Sequence, residues 1–370
     1  MIHNNEYLVF LELLRAGLWE KEARLSQYEK IDYNEVYRLA EEQSVVGLVA
    51  AGLEHIADIK PPKNVILTFV GLTLQLEQRN IAMNSFISNL VNKMRNEGVD
   101  TLLVKGQGIA QCYERPLWRA SGDVDFLLSE ENYKKAKAYL YLLASEIDQE
   151  PNNEKHLQMV IDSWSVELHG NLPCHLSNRA ERVINTAIDD SLYKGNVRLW
   201  DNNGVGISLP NVDNDIILIF THILKHFFYG GIGLRQICDW CRLLWMYKDS
   251  LNHGLLESRI RKMGLMSEWT AFAAVAVDWL GMPAEAMPLY LSSKSYNNAS
   301  KKVLERVFET GNFGHNIDDS YQSRLPFFMR KTVSLWRHVS DSANIFFIFP
   351  LNSIVALRNN IVWGVKDVLR

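Results

Sequence analysis

The run Gly122-Asp123-Val124-Asp125-Phe126-Leu127-Leu128 sets two aspartates two residues apart inside an apolar stretch. Residues i and i+2 of a β-strand share a face, so Asp123 and Asp125 project together while Val124 and Phe126 project oppositely. Twice the strand rise separates their Cα atoms by about 7 Å, a spacing at which two carboxylates can share one or two hard cations. Val166-Glu167-Leu168-His169 offers a third carboxylate in a similar apolar frame. Three carboxylates held together repel one another, and at least one pKa rises unless a cation joins them. Magnesium suits this donor set best, because it takes hard oxygen ligands, keeps several waters and completes its octahedron with substrate phosphates. Two such ions about 3.5–4 Å apart would activate an acceptor oxygen and stabilise a departing one.

Upstream, the apolar run Leu102-Leu103-Val104 ends in Lys105-Gly106. A residue without Cβ lets the backbone approach phosphate oxygens and offer them N–H donors. Lys105 and Arg119 are the nearest cations for that charge, and Arg119 could equally be a structural partner of the aspartates. His169 shares a strand face with Glu167, where it could touch a phosphate, act as a base or hold a neighbouring ligand by hydrogen bond.

These residues need strands and helices to hold them. The hydrophobic pattern predicts helices over Tyr7–Leu18 and Tyr33–Gln43, a break at Pro61-Pro62, and a long helix from Val65 to Met94 stopped by Gly98. A β-rich block follows. It comprises Val99–Val104, a short helix Gln107–Tyr113, a strand Val124–Leu128, and a helix Glu130–Leu143 capped by Ser129. Leu157–Ile161 and Ser165–Leu168 read as paired strands around a turn at Asp162–Trp164. Val197–Trp200 and Val205–Leu209 read as a hairpin through Asp201-Asn202-Asn203-Gly204. Beyond Pro210 the pattern is helical, clearest at Ile216–Phe228, Gln236–Tyr247, Leu255–Met263 and Ser267–Leu280. The expected organisation is an α+β fold with a small mixed sheet: N-terminal helices over residues 1–80, an α/β core over 81–210 and an all-helical region over 211–370.

Other polar groups have blander readings. His222 and His226 lie one helical turn apart, but the surrounding apolar residues favour core histidines over metal ligands. Cys238-x-x-Cys241 could join them on zinc, yet the helical pattern through Trp240 argues against a zinc knuckle. Gly230-Gly231-Ile232-Gly233 reads as a break between helices, and Arg235 with Asp239 as an intrahelical ion pair.

The 370 residues are 47% apolar and 22% charged with a net charge of −4, the profile of a globular protein and not of a nucleic-acid coat. Four cysteines without a secretory leader suggest a reducing, cytoplasmic setting. No stretch of 18 apolar residues predicts a membrane span. Ala343–Leu357, the nearest, reads as core. From Tyr321 to Arg370, seven Lys/Arg against two Asp read as a solvated basic face, with contact to an anionic membrane surface or RNA as the alternative.

The chain resembles the uncharacterised bacterial nucleotidyltransferase family of the DNA polymerase β-like superfamily. The resemblance rests on Lys105-Gly106, on Arg119-Ala120-Ser121-Gly122-Asp123-Val124-Asp125, on Glu167-Leu168-His169, and on His222, His226 and Leu234-Arg235-Gln236-Ile237-Cys238-Asp239, within roughly residues 30 to 280. It implies a minimal transferase core that moves a nucleoside monophosphate from an NTP to an acceptor. That acceptor is a sugar, another small molecule, a protein or an RNA end. It also implies Asp123, Asp125 and Glu167 as catalytic metal ligands for Mg²⁺, with two ions expected and Mn²⁺ as the substitute. Lys105, Gly106, Gln107, Arg119, Ser121 and His169 would then bind the nucleotide. Two departures stand out: Gln107 replaces the superfamily's second small residue, and the turn lies further from Asp123 than in compact members. A non-catalytic nucleotide- or partner-binding protein on the same core is the alternative.

Overall fold

A computed structural model describes residues 4–148, 155–312 and 345–368. Three helices, α1 (Asn5–Trp19), α2 (Tyr33–Glu42) and α3 (Val46–Glu54), precede a 34-residue helix α4 (Lys63–Asn96). The boundary expected at residue 80 falls inside α4. Then come β1 (Leu102–Val104), a one-turn helix α5 (Gly106–Ala110), β2 (Asp123–Leu127) and α6 (Glu130–Leu140). Strands β3 (Glu146–Ile147), β4 (His156–Ile161) and β5 (Trp164–His169) complete a five-stranded sheet of order β1-β2-β5-β4-β3. The pair β2–β5 is parallel and the rest are antiparallel, so the sheet is mixed and the fold α+β.

Strand alternation divides this sheet cleanly. Val124, Phe126, Val166, Leu168, Leu157 and Met159 turn to one side and pack against Phe86, Leu90 and Met94 of α4 and Tyr133 and Leu140 of α6. The opposite side carries the acids. Ser129 caps α6, its hydroxyl accepting from Asn132 N at 3.3 Å.

Helix α7 (Asn178–Tyr193) follows, absent from the expected elements although its own N-cap Ser177 accepts from Ala180 N. The hairpin β6 (Val197–Asn202) and β7 (Val205–Pro210) turns on Asn203-Gly204, both at positive φ, as an Asn-Gly type I′ turn requires. The C-terminal part is helical: α8 (Val212–Tyr229), α9 (Leu234–Met246), α10 (His253–Met263), α11 (Met266–Ala274), α12 (Lys294–Thr310) and α13 (Pro350–Val368). The glycine-rich stretch separates α8 from α9 as expected. The pattern taken for one helix over 267–280 ends at Ala274 and continues as a π-helical turn over Val275–Trp279. Among the described residues no helix is long and apolar enough to cross a membrane. Of the basic segment 321–370, residues 321–344 and 369–370 lie outside the described residues; within 345–357, Ile345, Phe349 and Ala356 pack into the main core.

Candidate active site

Register brings the acids together. In the parallel pair β2–β5, Asp125 stands opposite Glu167 and Asp123 opposite Ser165. Opposed residues share a face, so carboxylates separated by 42 positions in sequence (167 − 125) become neighbours on one wall. Carboxylate oxygens of Asp123, Asp125 and Glu167 lie within 4.8 Å of one another. They face a cleft of about 280 Å³ whose other side is α8 and α9.

The cations arrive from two directions. Lys105 adopts φ 60° with ψ −150° and Gly106 φ 46°, consecutive positive-φ residues that turn the chain sharply between β1 and α5. For lysine that conformation costs about 1–3 kcal/mol, a strain typical of functional sites. It aims Nζ at Asp125 Oδ1, 2.8 Å away. Burial lowers the Lys105 pKa, but Asp125 outweighs it and the net direction is up, so the ammonium stays charged. From β5, His169 Nε2 lies 2.8 Å from the same Oδ1 and 3.3 Å from Glu167 Oε2. His156 Nε2 on β4 reaches Glu167 Oε2 at 3.2 Å.

The three acids respond differently. Burial pushes Asp123 up, and the charges of Asp125 and Glu167 push it further. Burial also raises Asp125, but Lys105 and His169 overcome it and hold the carboxyl below the usual range. Glu167 is depressed as well, because hydrogen bonds from His156 and His169 outweigh its burial. Burial lowers His169, whereas its two carboxylate partners bring the net direction up. Asp123 is therefore the acid whose charge the protein's own cations leave least compensated. Its oxygen chemistry and position suit a hard divalent cation bridging to Asp125 and Glu167. Asp123→Asn relieves that repulsion, so metal-free variant protein is expected to unfold about 1 kcal/mol later than wild type. Chemical denaturation in the presence of a chelator measures this, and a less stable variant would show that the repulsion is absent.

The remaining expected residues divide between the cleft and its support. Lys105, Gly106, Arg119 and His169 line the cleft. Gln107 is buried, and its Nε2 donates to Asn80 Oδ1 at 2.7 Å, so its bulk lies behind the wall. Asn80 in turn donates to the Leu117 and Arg119 carbonyls at 2.7 and 2.9 Å, tying α4 to the loop before β2. Ser121 Oγ accepts from Arg119 Nη1 at 2.6 Å.

Two sequence expectations need correction. The hydrogen bonds of Asp239 go to Arg119 rather than to its helical neighbour Arg235: Nε to Oδ1 at 3.0 Å, Nη2 to Oδ2 at 2.6 Å, with Tyr113 Oη donating at 2.8 Å. Arg235 Nη1 donates to the Ala120 carbonyl at 3.0 Å, and burial beside Arg119 lowers its pKa to about 10. A tertiary bidentate pair outcompetes an i,i+4 one because both guanidinium nitrogens are satisfied at once. His222 and His226 are not core residues: with Lys225 they form a half-buried stripe of α8 lining the cleft opposite the acids. Burial keeps both imidazoles neutral, His226 down to about 4. Cys238 and Cys241 are fully buried in α9 and burial pushes their thiols up, so neither offers a thiolate to the cleft.

His156 also lines the cleft, and nothing in its local sequence singles it out. The β4–β5 turn is the two-residue pair Asp162-Ser163, both at positive φ, one residue shorter than expected. A one-residue change of turn shifts the register by one, and it sets His156 opposite His169.

Comparison with protein-family models matched residues 29–281 to a family described as uncharacterised nucleotidyltransferase. The searches of curated proteins and of solved structures found no match. The matched span holds the whole five-stranded sheet, the three acids, Lys105, Arg119 and the helices that close the cleft. The chain belongs to this family of uncharacterised nucleotidyltransferases.

Proposed function

We propose that the protein transfers a nucleoside monophosphate from an NTP to an acceptor oxygen, using Mg²⁺ held by Asp123, Asp125 and Glu167, with Mn²⁺ as a substitute. The carrying observation is the convergence of these three acids, from two strands in parallel register, on the wall of a cleft bordered by Lys105, Arg119 and Arg235. Bound magnesium would neutralise triphosphate charge and lower the pKa of an acceptor hydroxyl.

The chain's own groups do the positioning. Lys105 lines the cleft with its Nζ on Asp125, where the ammonium would be within reach of an entering triphosphate. Gly106 allows the turn to lie close to those phosphates. Arg119 is held rigid by Asp239 and Ser121 and presents a fixed positive edge. His169 keeps Asp125 and Glu167 ionised and oriented, while Gln107 acts from behind through Asn80.

The test is transfer of label from α-³²P-NTP against γ-³²P-NTP, with sugars, polyols, proteins and RNA ends as acceptors. Nucleotidyl transfer moves the α-label and leaves the γ-label in pyrophosphate; movement of γ-label alone would mean phosphoryl transfer and reject the proposal. A binding module without turnover is favoured by one observation, that Asp125 Oδ1 already holds both Lys105 and His169. Nucleotide binding with neither label transferred to any acceptor would support it.

A further inference from the structure

His156 and His169 are register partners on β4 and β5, and their rings stack at 4.8 Å with 14° between planes. Both Nε2 atoms lie near one oxygen, Glu167 Oε2, at 3.2 and 3.3 Å; His169 Nε2 also lies 2.8 Å from Asp125 Oδ1, a hydrogen bond that a bound ion would displace. Donor atoms of the three residues all lie within 4.8 Å of one another. Bonds of about 2.0–2.1 Å from a tetrahedral ion place neighbouring ligand atoms about 3.3 Å apart, which matches the spacing from Glu167 to each imidazole. Two imidazole nitrogens and one carboxylate oxygen favour Zn²⁺ or a similar borderline ion over Mg²⁺ and Mn²⁺, which prefer oxygen donors. Three protein ligands also leave a position open, as catalytic zinc sites do. A two-residue turn joins the two strands, so the donors are preset rather than gathered from loops. His156 is 33% and Glu167 19% exposed at the side chain, which leaves an ion a path from solution.

We propose that His156, Glu167 and His169 form a second cation site, selective for a borderline divalent ion such as Zn²⁺, joined to the Asp123/Asp125 site through Glu167. Only the use of that ion in group transfer rests on the proposed function; its binding rests on the donor set.

The experiment titrates chelator-stripped protein with Zn²⁺, Mn²⁺ and Mg²⁺ separately, against a chromophoric competing chelator and without nucleotide. Wild type and Asp123→Asn are expected to take up one Zn²⁺ with similar affinity. His156→Gln is expected to weaken it by about 100-fold or more, since even outer partners of metal ligands are worth 10–100-fold. Co²⁺-loaded wild type guards against a variant that merely fails to fold, because an ion with nitrogen ligands in a four-coordinate site absorbs intensely in the visible. Equal Zn²⁺ affinity in folded His156→Gln, parallel loss in Asp123→Asn, or the faint Co²⁺ spectrum of a six-oxygen site would each overturn the assignment. Failure of nucleotide to stabilise a protein that still binds Zn²⁺ through His156 would count against the transferase reading alone.

Discussion

Asp125→Asn is expected to reduce nucleotide transfer about 10³-fold or more while the protein stays folded. Metal-borne charge stabilisation in the transition state is worth several kcal/mol, and each 1.36 kcal/mol is a factor of ten. Asp125 is the acid to change because it lies at the centre of the cluster, 2% exposed, opposite Glu167 and beside Asp123. Asparagine keeps an acceptor for Lys105 and His169. The Lys105 ammonium also keeps the charges of Glu167 and Asp123 nearby, so no buried cation is stranded. The pH dependence of unfolding supplies an internal control. His169 gains a raised pKa from its carboxylates, so its stabilising contribution is full below about pH 6.5 and is lost as pH climbs through the folded value. In Asp125→Asn that alkaline loss should shrink, since one of the two carboxylates holding the imidazolium is gone. Turnover within tenfold of wild type would remove Asp125 from the chemistry.

Arg119→Met is expected to cost about 3–5 kcal/mol of stability, the usual consequence of breaking a buried ion pair by deleting one partner. Arg119 is 7% and Asp239 5% exposed, and the deletion strands Asp239 with only the Tyr113 hydroxyl and leaves Ser121 without its donor. Arg119→Lys should recover little, because a single ammonium cannot reproduce the forked contact to both carboxylate oxygens. Replacing both partners, Arg119→Met with Asp239→Leu, should recover much of the loss, as apolar substitution of buried pairs commonly does. Urea denaturation measures all three. A loss under 1 kcal/mol for Arg119→Met would mean that the pair does not hold α9 against the strand-bearing core.

What the sequence could disclose follows the range of the physics involved. Alternation in Asp123–Leu128, the Asn203-Gly204 turn, the Ser129 cap of α6 and Gly98, at φ 67° just past the end of α4, are local, and each is legible within ten residues. That Asp123, Asp125 and Glu167 stand close together is an expectation the sequence carries; the parallel β2–β5 pairing that brings them together is not, since it is set by tertiary packing and has no local signal. The Asp162-Ser163 turn carries no glycine to mark its length, so the sequence predicts a turn one residue too long and a register that leaves His156 off the site. Helix α8 is apolar on most sides, and periodicity alone cannot tell a stripe buried in core from one facing an enclosed polar cleft, which is why it predicts core positions for His222 and His226. Arg235 and Asp239 have ideal helical spacing, but a weak i,i+4 preference yields to a buried bidentate partner 120 residues away. Gln107 stands at the expected place in the chain, and only the fold shows that its amide turns away from the cleft.

The most direct test of the central claim is thermal denaturation of wild type and Asp125→Asn with ATP, CTP, GTP and UTP, each with and without Mg²⁺. A ligand that binds only the native state at a hundred times its Kd adds about 2.7 kcal/mol. At least one nucleotide should stabilise wild type by an amount of that order, only with Mg²⁺, and the effect should vanish in Asp125→Asn. Stabilisation that persists in the variant, or that needs no Mg²⁺, would contradict a metal–nucleotide site at Asp123, Asp125 and Glu167.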